Sequence, residues 1–413
     1  MTEAMSMTVL LNRRVFLLLV PVLFAAQLAS AQMTDPRGTA RIHIGPIYAT
    51  PALTVQEFGV DTNVFNNADE KKDFTFTVVP RATMWIPFAR RALLTTTAGT
   101  DVVYFQKYSS ERSLNPQVRL RGEGVLGRFL PFAEGSYLNT RQRPNFEIDA
   151  RLRRTEDAAR IGTAVRLSPK TYVELSGSQT NVDFAADAVF NDVNMRETLN
   201  RTTRSVLVSM REDLTPLTTV VVRGEAGSNR FPLSPIRNAD SISVMPGLEL
   251  KPRALISGSA YVGVRRFTPN TRALPTFNGA VASAALNYTL QSSTRFTATV
   301  DRDLAYSFEP QQPYYVVSGY GLTVRRQIVG RTDVTGGAIR QQYAYRGLLL
   351  SARPATAPDR LDVTRTFSVT VGYRFGQDTR LGFGAFYRQR ESNVVGDRDY
   401  QGFRFITSLE YGM

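Results

Sequence analysis

The 413-residue sequence contains no cysteine and one histidine, His43. Without cysteine there are no disulfides, no thiolate metal sites and no cysteine nucleophile. A serine–histidine hydrolase or a histidine metal site needs imidazole at its working face. His43 precedes the first predicted strand, so it is a poor general base, and neither a metal nor another cofactor is expected. Long apolar runs are also scarce. Val15–Ala25 is the one clear example, and it is too short to cross a membrane comfortably. The body shows no helix-period apolar stripe. Lysine is nearly absent: of 50 basic residues only Lys71, Lys72, Lys107, Lys170 and Lys251 are lysine, which leaves 45 arginines.

A formal charge of +14 first suggests nucleic acid. The arginines are dispersed, however, with no basic tail and no recognisable nucleic-acid module, so no nucleic-acid partner is expected. Dispersed arginine suits an anion-favouring channel or contact with anionic surface lipid; arginine-rich codon usage is the competing explanation. The amino terminus carries Arg13 and Arg14, the apolar run, and then Ala29-Ser30-Ala31. That order is a secretory signal cleaved after Ala31, with Ala29 and Ala31 as its small cleavage residues. An N-terminal anchor helix is the competing reading. The predicted organisation is a signal peptide over 1–31, a periplasmic segment over 32–49 and a β-domain over 50–413.

That domain alternates apolar and polar residues. Phe367, Val369, Val371, Tyr373 and Phe375 share one face, and Thr366, Ser368, Thr370, Gly372 and Arg374 the other. A period of two is a strand. Leu381, Phe383, Ala385 and Tyr387 repeat the pattern. Tight turns fall near Ala89, Arg128, Pro169, Thr215, Pro252, Ser292, Gly330 and Gln377, spaced 37 to 47 residues apart. Longer polar loops alternate with them at 61–72, 108–116, 142–156, 185–197, 231–238, 268–276, 309–313, 345–361 and 392–398. Sixteen strands flank the turns, and one at each end makes eighteen, with sixteen as the alternative. Alternating short and long connections between strands of a dozen residues predict an all-β, antiparallel, up-and-down transmembrane barrel in the bacterial outer membrane. Lipid admits only closed sheets of this kind. Tyr104, Phe105, Tyr137, Tyr261, Phe267, Tyr306, Phe308, Tyr314 and Tyr315 are expected in an aromatic girdle near the loops. Trp85, Phe88, Phe129 and Phe375 would form the opposite one. The last strand alternates through Phe403, Phe405, Thr407, Leu409, Tyr411 and Met413, like the signal read by outer-membrane assembly machinery, which usually ends in Phe or Trp.

With the apolar face against lipid, Arg81, Arg119, Arg121, Arg223, Arg265, Asp301, Asp303, Arg325, Arg374 and Arg388 should line the lumen, with Glu123 and Glu225. An arginine facing lipid at the midplane costs about 2–4 kcal/mol. Those arginines either brace the wall through ion pairs or select anions. Strict alternation puts Arg302 outside, which suggests a bulge or register shift there. Loop residues Arg143, Arg151, Arg153 and Arg154, with Phe146 and Ile148, either fold inward as a constriction or face surface lipid. Gly122-Glu-Gly-Val-Leu-Gly127 matches a dinucleotide fingerprint, but a strand follows it where that site needs a helix. Asp301 and Asp303 share a strand face as acid–nucleophile pairs do in glycosidases, and lumen charge balance is the simpler account.

Gly45-Pro-Ile-Tyr-Ala-Thr-Pro51, followed by Gly59-Val-Asp61-Thr-Asn63-Val-Phe65, resembles the opening of the outer-membrane beta-barrel porins associated with capsule and exopolysaccharide gene clusters in Gram-negative bacteria. Arg302-Asp-Leu-Ala-Tyr-Ser-Phe308 and Pro313-Tyr-Tyr315 have the same look. The resemblance implies a conduit for secreted polysaccharide, with periplasmic export proteins as partners beside lipid and the assembly machinery. A general or anion-selective diffusion porin is the second reading, and a structural or surface-interaction barrel with a plugged lumen the third. No enzyme is expected.

Overall fold

The computed structural model describes residues 38, 40–88, 91–252, 254–349, 359–376, 378–394 and 398–412. The predicted signal peptide with Ala29 and Ala31, the turn centres Ala89 and Gln377, and Met413 lie outside the described residues.

A short strand β1 (Ile42–Ile44) folds back on the next and carries His43, stacked on Tyr48 with ring centroids 4.4 Å apart. The wall begins with β2 (Ile47–Asp61), β3 (Asp73–Phe88), β4 (Ala92–Phe105), β5 (Ser113–Gly124), β6 (Phe129–Thr140), β7 (Arg154–Arg166) and β8 (Thr171–Phe184). One loop then holds a small hairpin, β9 (Val189–Phe190) and β10 (Val193–Asn194), and the five-residue helix α1 (Met195–Leu199). Asn194 caps α1 by accepting from Arg196 N and Glu197 N. The wall continues with β11 (Arg201–Thr215), β12 (Thr218–Arg230), β13 (Ala239–Leu250), β14 (Ile256–Pro269), β15 (Phe277–Leu290) and β16 (Thr294–Tyr306). It ends with β17 (Tyr314–Val329), β18 (Thr332–Arg346), β19 (Leu361–Phe375), β20 (Thr379–Ser392) and β21 (Tyr400–Tyr411).

Each wall strand pairs antiparallel with its sequence neighbour, and β2 pairs with β21. Eighteen strands therefore close into a barrel with no free edge, as the turn spacing predicts. The turns fall at the expected places. The loops differ modestly: β5 begins at Ser113 and β7 at Arg154, earlier than expected, β2 begins at Ile47, and the loop holding α1 runs to Asn200.

Alternation sets which face each residue takes. On β11, Val206, Val208 and Met210 are exposed outward, while Ser205 and Leu207 line the interior. The pattern breaks once on β2. Glu57 has φ 57° and the register shifts between Val55 and Phe58, so Gln56 and Glu57 both face inward and Phe58 stays outside. Glu57 and Asp61 then receive Arg404 of β21 at 2.9 and 2.5 Å, and Asn63 donates to Gln401 O at 2.7 Å. The Asp61–Asn63 motif thus fastens the seam where the first strand meets the last.

Two expectations are corrected here. No bulge or register shift occurs at Arg302: its neighbours keep a continuous register, Ala282↔Arg302↔Ser318. Arg302 stays on the outer side, donating to Ala280 O at 3.1 Å and Ser318 Oγ at 2.6 Å. Nor is there an extracellular girdle of the residues expected. Phe105, Tyr261, Phe267, Phe308, Tyr314 and Tyr315 are buried within the protein. Closeness to a strand end does not decide the side: Tyr261 turns into the lumen wall against Glu249 and Arg223, and the other rings pack with loop residues. Near the short turns Phe88, Phe129 and Phe375 do stand exposed.

Candidate functional site

The barrel encloses a cavity of about 2420 Å³. Its lining runs from the short-turn residues Ser292, Gly330 and Gly376 up to Asn66, Gln142, Pro144 and Asn145 under the long loops. Of the residues expected inside, Arg81, Arg119, Arg223, Arg265, Asp303, Arg325, Arg374 and Arg388 line it. Arg121 and Asp301 do not border it. Arg121 pairs with Glu123 at 2.9 Å and Glu134 at 3.3 Å. Asp301 lies over Gly319, where a Cβ would come 2.5 Å from its Oδ1. The glycine leaves space for the carboxylate.

Many wall arginines are braced. Arg119 meets Glu134 at 3.0 Å, Arg265 meets Asp303 at 2.6 Å, and Asp333 accepts from both Arg325 and Arg380 at 2.7 Å. Arg223 and Arg211 share Glu249, at 3.1 and 3.3 Å. Asp303 is thereby committed to an arginine, so Asp301 and Asp303 do not form an isolated carboxylate pair. Further lining arginines extend the set: Arg154, Arg160, Arg201, Arg295, Arg331, Arg380 and Arg404. For Arg160 and Arg380 the signal was the same alternation that located the others.

The cavity is lined by fourteen arginines and eleven carboxylates. Nine of the carboxylates sit within ion-pair distance of an arginine: Glu57, Asp61, Glu134, Glu156, Glu225, Asp303, Asp333, Asp378 and Glu410. Arg81, Arg295 and Arg331 have no carboxylate partner among the described residues, whereas Arg388 faces Asp61 and Asp149 under the cap. Negative charge is consumed by bracing and positive charge is left over.

The loop 141–153 folds inward and crosses the bore. It leaves the wall between β6 and β7, yet Phe146 stacks on Tyr343 of β18 and meets Tyr315 of β17 edge-on at 5.6 Å. β7 and β18 are nine strands apart in either direction round the eighteen. The loop therefore spans a full diameter. Arg390 of β20, 1 % exposed, holds its far side, donating to Phe146 O at 3.2 Å and Asp149 at 3.3 Å. The same guanidinium pairs with buried Asp362 at 2.7 Å, which also takes Arg360 at 2.7 Å. Asn66 donates to Asp149 at 3.0 Å.

Two of the four loop arginines belong to this cap. Arg143 donates to Asp149 O at 2.6 Å and Val64 O at 2.5 Å, and Arg151 to Val64 O at 3.0 Å. They tie the crossing loop to the loop 62–72. Arg153 instead reaches Asn139 at 3.2 Å, and Arg154 opens β7, paired with Glu156 at 2.6 Å. Ile148 completes an apolar core with Val182, Phe184, Ala188, Met195, Leu199 and Phe308. Glu147 accepts from Ser307 Oγ at 2.7 Å and Phe308 N at 3.3 Å, while Arg237 donates to the carbonyls of Ser307, Phe308 and Glu309. Burial pushes the Glu147 and Asp149 carboxyls above the ordinary carboxylate range, and their cationic neighbours only partly offset it.

A family model described as Putative beta-barrel porin 2 matches residues 35–411. The chain belongs to that family. This beta-barrel porin is accordingly an outer-membrane protein of bacteria, with its short turns in the periplasm and its long loops outside. Solved barrels similar to it include a BenF-like porin from Pseudomonas fluorescens Pf-5, at 11% identity and TM-score 0.49, covering 88% of this chain and 99% of that one. OccK2 (OpdF) of Pseudomonas aeruginosa is 10% identical with TM-score 0.49, covering 88% and 97%. No curated protein sequence matches the porin.

Proposed function

We propose that this porin is an anion-favouring channel whose outer mouth is closed by the loop 141–153. The surplus of unpaired lumen arginine over unpaired carboxylate carries this reading. Arg81 and Arg388 lie along the cavity, and Arg295 and Arg331 lie at its periplasmic end. Such a bore holds a positive potential that concentrates anions.

The test is a planar-bilayer measurement in a salt gradient, on a barrel with residues 143–150 replaced by a short glycine–serine linker. The reversal potential should show anion preference. Changing Arg81 and Arg388 together to glutamate replaces two cations by two anions, and the preference should turn toward cations. Cation preference before that change, or no conductance at all, would overturn the reading.

One observation favours outward export of an acidic polysaccharide over uptake. The cavity reaches the periplasmic turns, where Arg295, Arg331, Arg374 and Arg380 lie together, while the cap lies outside. An anionic chain supplied by periplasmic export proteins would meet this basic mouth first. Deleting the gene should reduce surface polysaccharide; an unchanged level would leave diffusion as the function. Delivery to the periplasm requires the leader read in the sequence, so the mature porin should begin at Gln32 when its first residues are sequenced.

A further inference from the structure

The outer face carries cations that the lumen reading leaves unexplained. Arg266 of β14, Arg302 of β16, Arg340 of β18 and Arg365 of β19 all take outward positions toward the long-loop ends of their strands. Their neighbours one step nearer the midplane, or directly opposite that step, are apolar and exposed: Val264, Val300, Tyr320 and Phe367. The arginines thus mark the upper edge of the lipid-facing belt. An outward arginine costs about 2–4 kcal/mol at the midplane but only about 0–1 kcal/mol near the interface, so this level suits them.

The strip has a regular build. Small residues separate the cations: Ala280 and Ala282 on β15, and Ser318 on β17. The registers set Arg302 level with Val262 and Arg340 level with Val300, so Arg266, Arg302 and Arg340 step along the wall roughly 12–16 Å apart. Arg340 and Arg365 are direct cross-strand partners, an arrangement of like charges that is unfavourable without an anion between or beside them. Arg365 has Glu391 at 2.7 Å. The partners of Arg302 are neutral, a carbonyl and a hydroxyl, and among the described residues Arg340 reaches only Gln342, at 3.5 Å. Arg266 is exposed, with no ion-pair partner among the described residues. On the next strands round the wall, by contrast, Arg230 is balanced by Asp240 at 2.7 Å. Positive charge therefore accumulates over β14–β19.

We infer that Arg266, Arg302, Arg340 and Arg365 form a docking strip for the phosphates of a phosphorylated glycolipid in the outer leaflet. Guanidinium groups bind phosphate oxygens through paired N–H donors. The acyl chains of the same molecule lie along the apolar belt directly beneath. Charge complementarity and this vertical order, cations above and apolar surface below, select a lipid as the occupant. The strip is independent of what passes through the lumen.

The test uses the full barrel in detergent with diphosphoryl lipid A as the probe, its retention read by native mass spectrometry. Retention should fall about tenfold or more when the probe is enzymatically dephosphorylated, and by a similar factor in R266Q/R302Q/R340Q. Arg326→Gln removes an outward arginine at the periplasmic end of β17 and should leave retention unchanged. Equal retention of phosphorylated and dephosphorylated probe would overturn the inference, and that arm needs no variant to fold. Full displacement of the lipid by inorganic pyrophosphate at equal concentration would reduce the strip to a site for free phosphate and overturn it as well.

Discussion

Arg390→Ala should open the barrel and destabilise it at once. Arg390 joins the crossing loop, through Phe146 O and Asp149, to the far wall, through Asp362. Removing the buried guanidinium leaves Asp362 with Arg360 and Asp149 with Asn66 and Arg143, so each carboxylate loses one of its charged partners. Breaking a buried ionic cluster from one side costs about 3–5 kcal/mol. Part of that cost is escaped if the loop lifts and Asp149 reaches water. On β20 Arg388 would still face Asp149, and the Phe146 stack on Tyr343 is worth about 0.5–1.5 kcal/mol beyond burial. Single-channel conductance should therefore rise several-fold, with a clear loss of thermal stability. Unchanged conductance in a folded variant would show that the crossing loop is not the barrier.

Proton uptake should hold the cap shut. Glu147 is faced by Ser307, Arg237, Glu309, Arg360 and Arg398, and Asp149 by Asn66, Arg143, Arg388, Arg390 and Tyr400. In both carboxyls burial outweighs the cationic neighbours, so their pKa values lie above those of a solvated carboxylate. A carboxyl with a raised pKa in the latched state takes up a proton on latching. The latch is then strongest below the ordinary carboxylate range and weakens as pH rises through the raised values. Conductance should be lowest in acid and increase toward neutral pH. Glu147→Gln keeps an acceptor for Ser307 without the charge, so it should lower conductance at neutral pH and flatten the profile. A conductance that falls with rising pH would refute this sign.

Three further outcomes bear on the same molecule. The selectivity reversal on changing Arg81 and Arg388 tests the lumen, the start at Gln32 tests the leader, and lipid retention tests the outer strip. Each reads a different surface, so failure of one leaves the others standing.

The sequence by itself determined the barrel. Two-residue alternation fixes which side chains share a face, and turn spacing fixes the number of hairpins; both are local properties written along the chain. That is why the eighteen strands and their turns are legible in the sequence, while the bulge invoked to remove Arg302 from the outer face does not exist. Which arginines are neutralised was not legible. Arg265 meets Asp303 across 38 residues and Arg404 meets Asp61 across 343, distances that only ring closure resolves. The cap was not legible either. Phe146, Tyr315, Tyr343 and Arg390 look alike in sequence to any aromatic or basic residue beside a loop. Only the tertiary structure decided that the loop 141–153 turns inward, because its apolar and ionic partners come from strands on the opposite side of the bore.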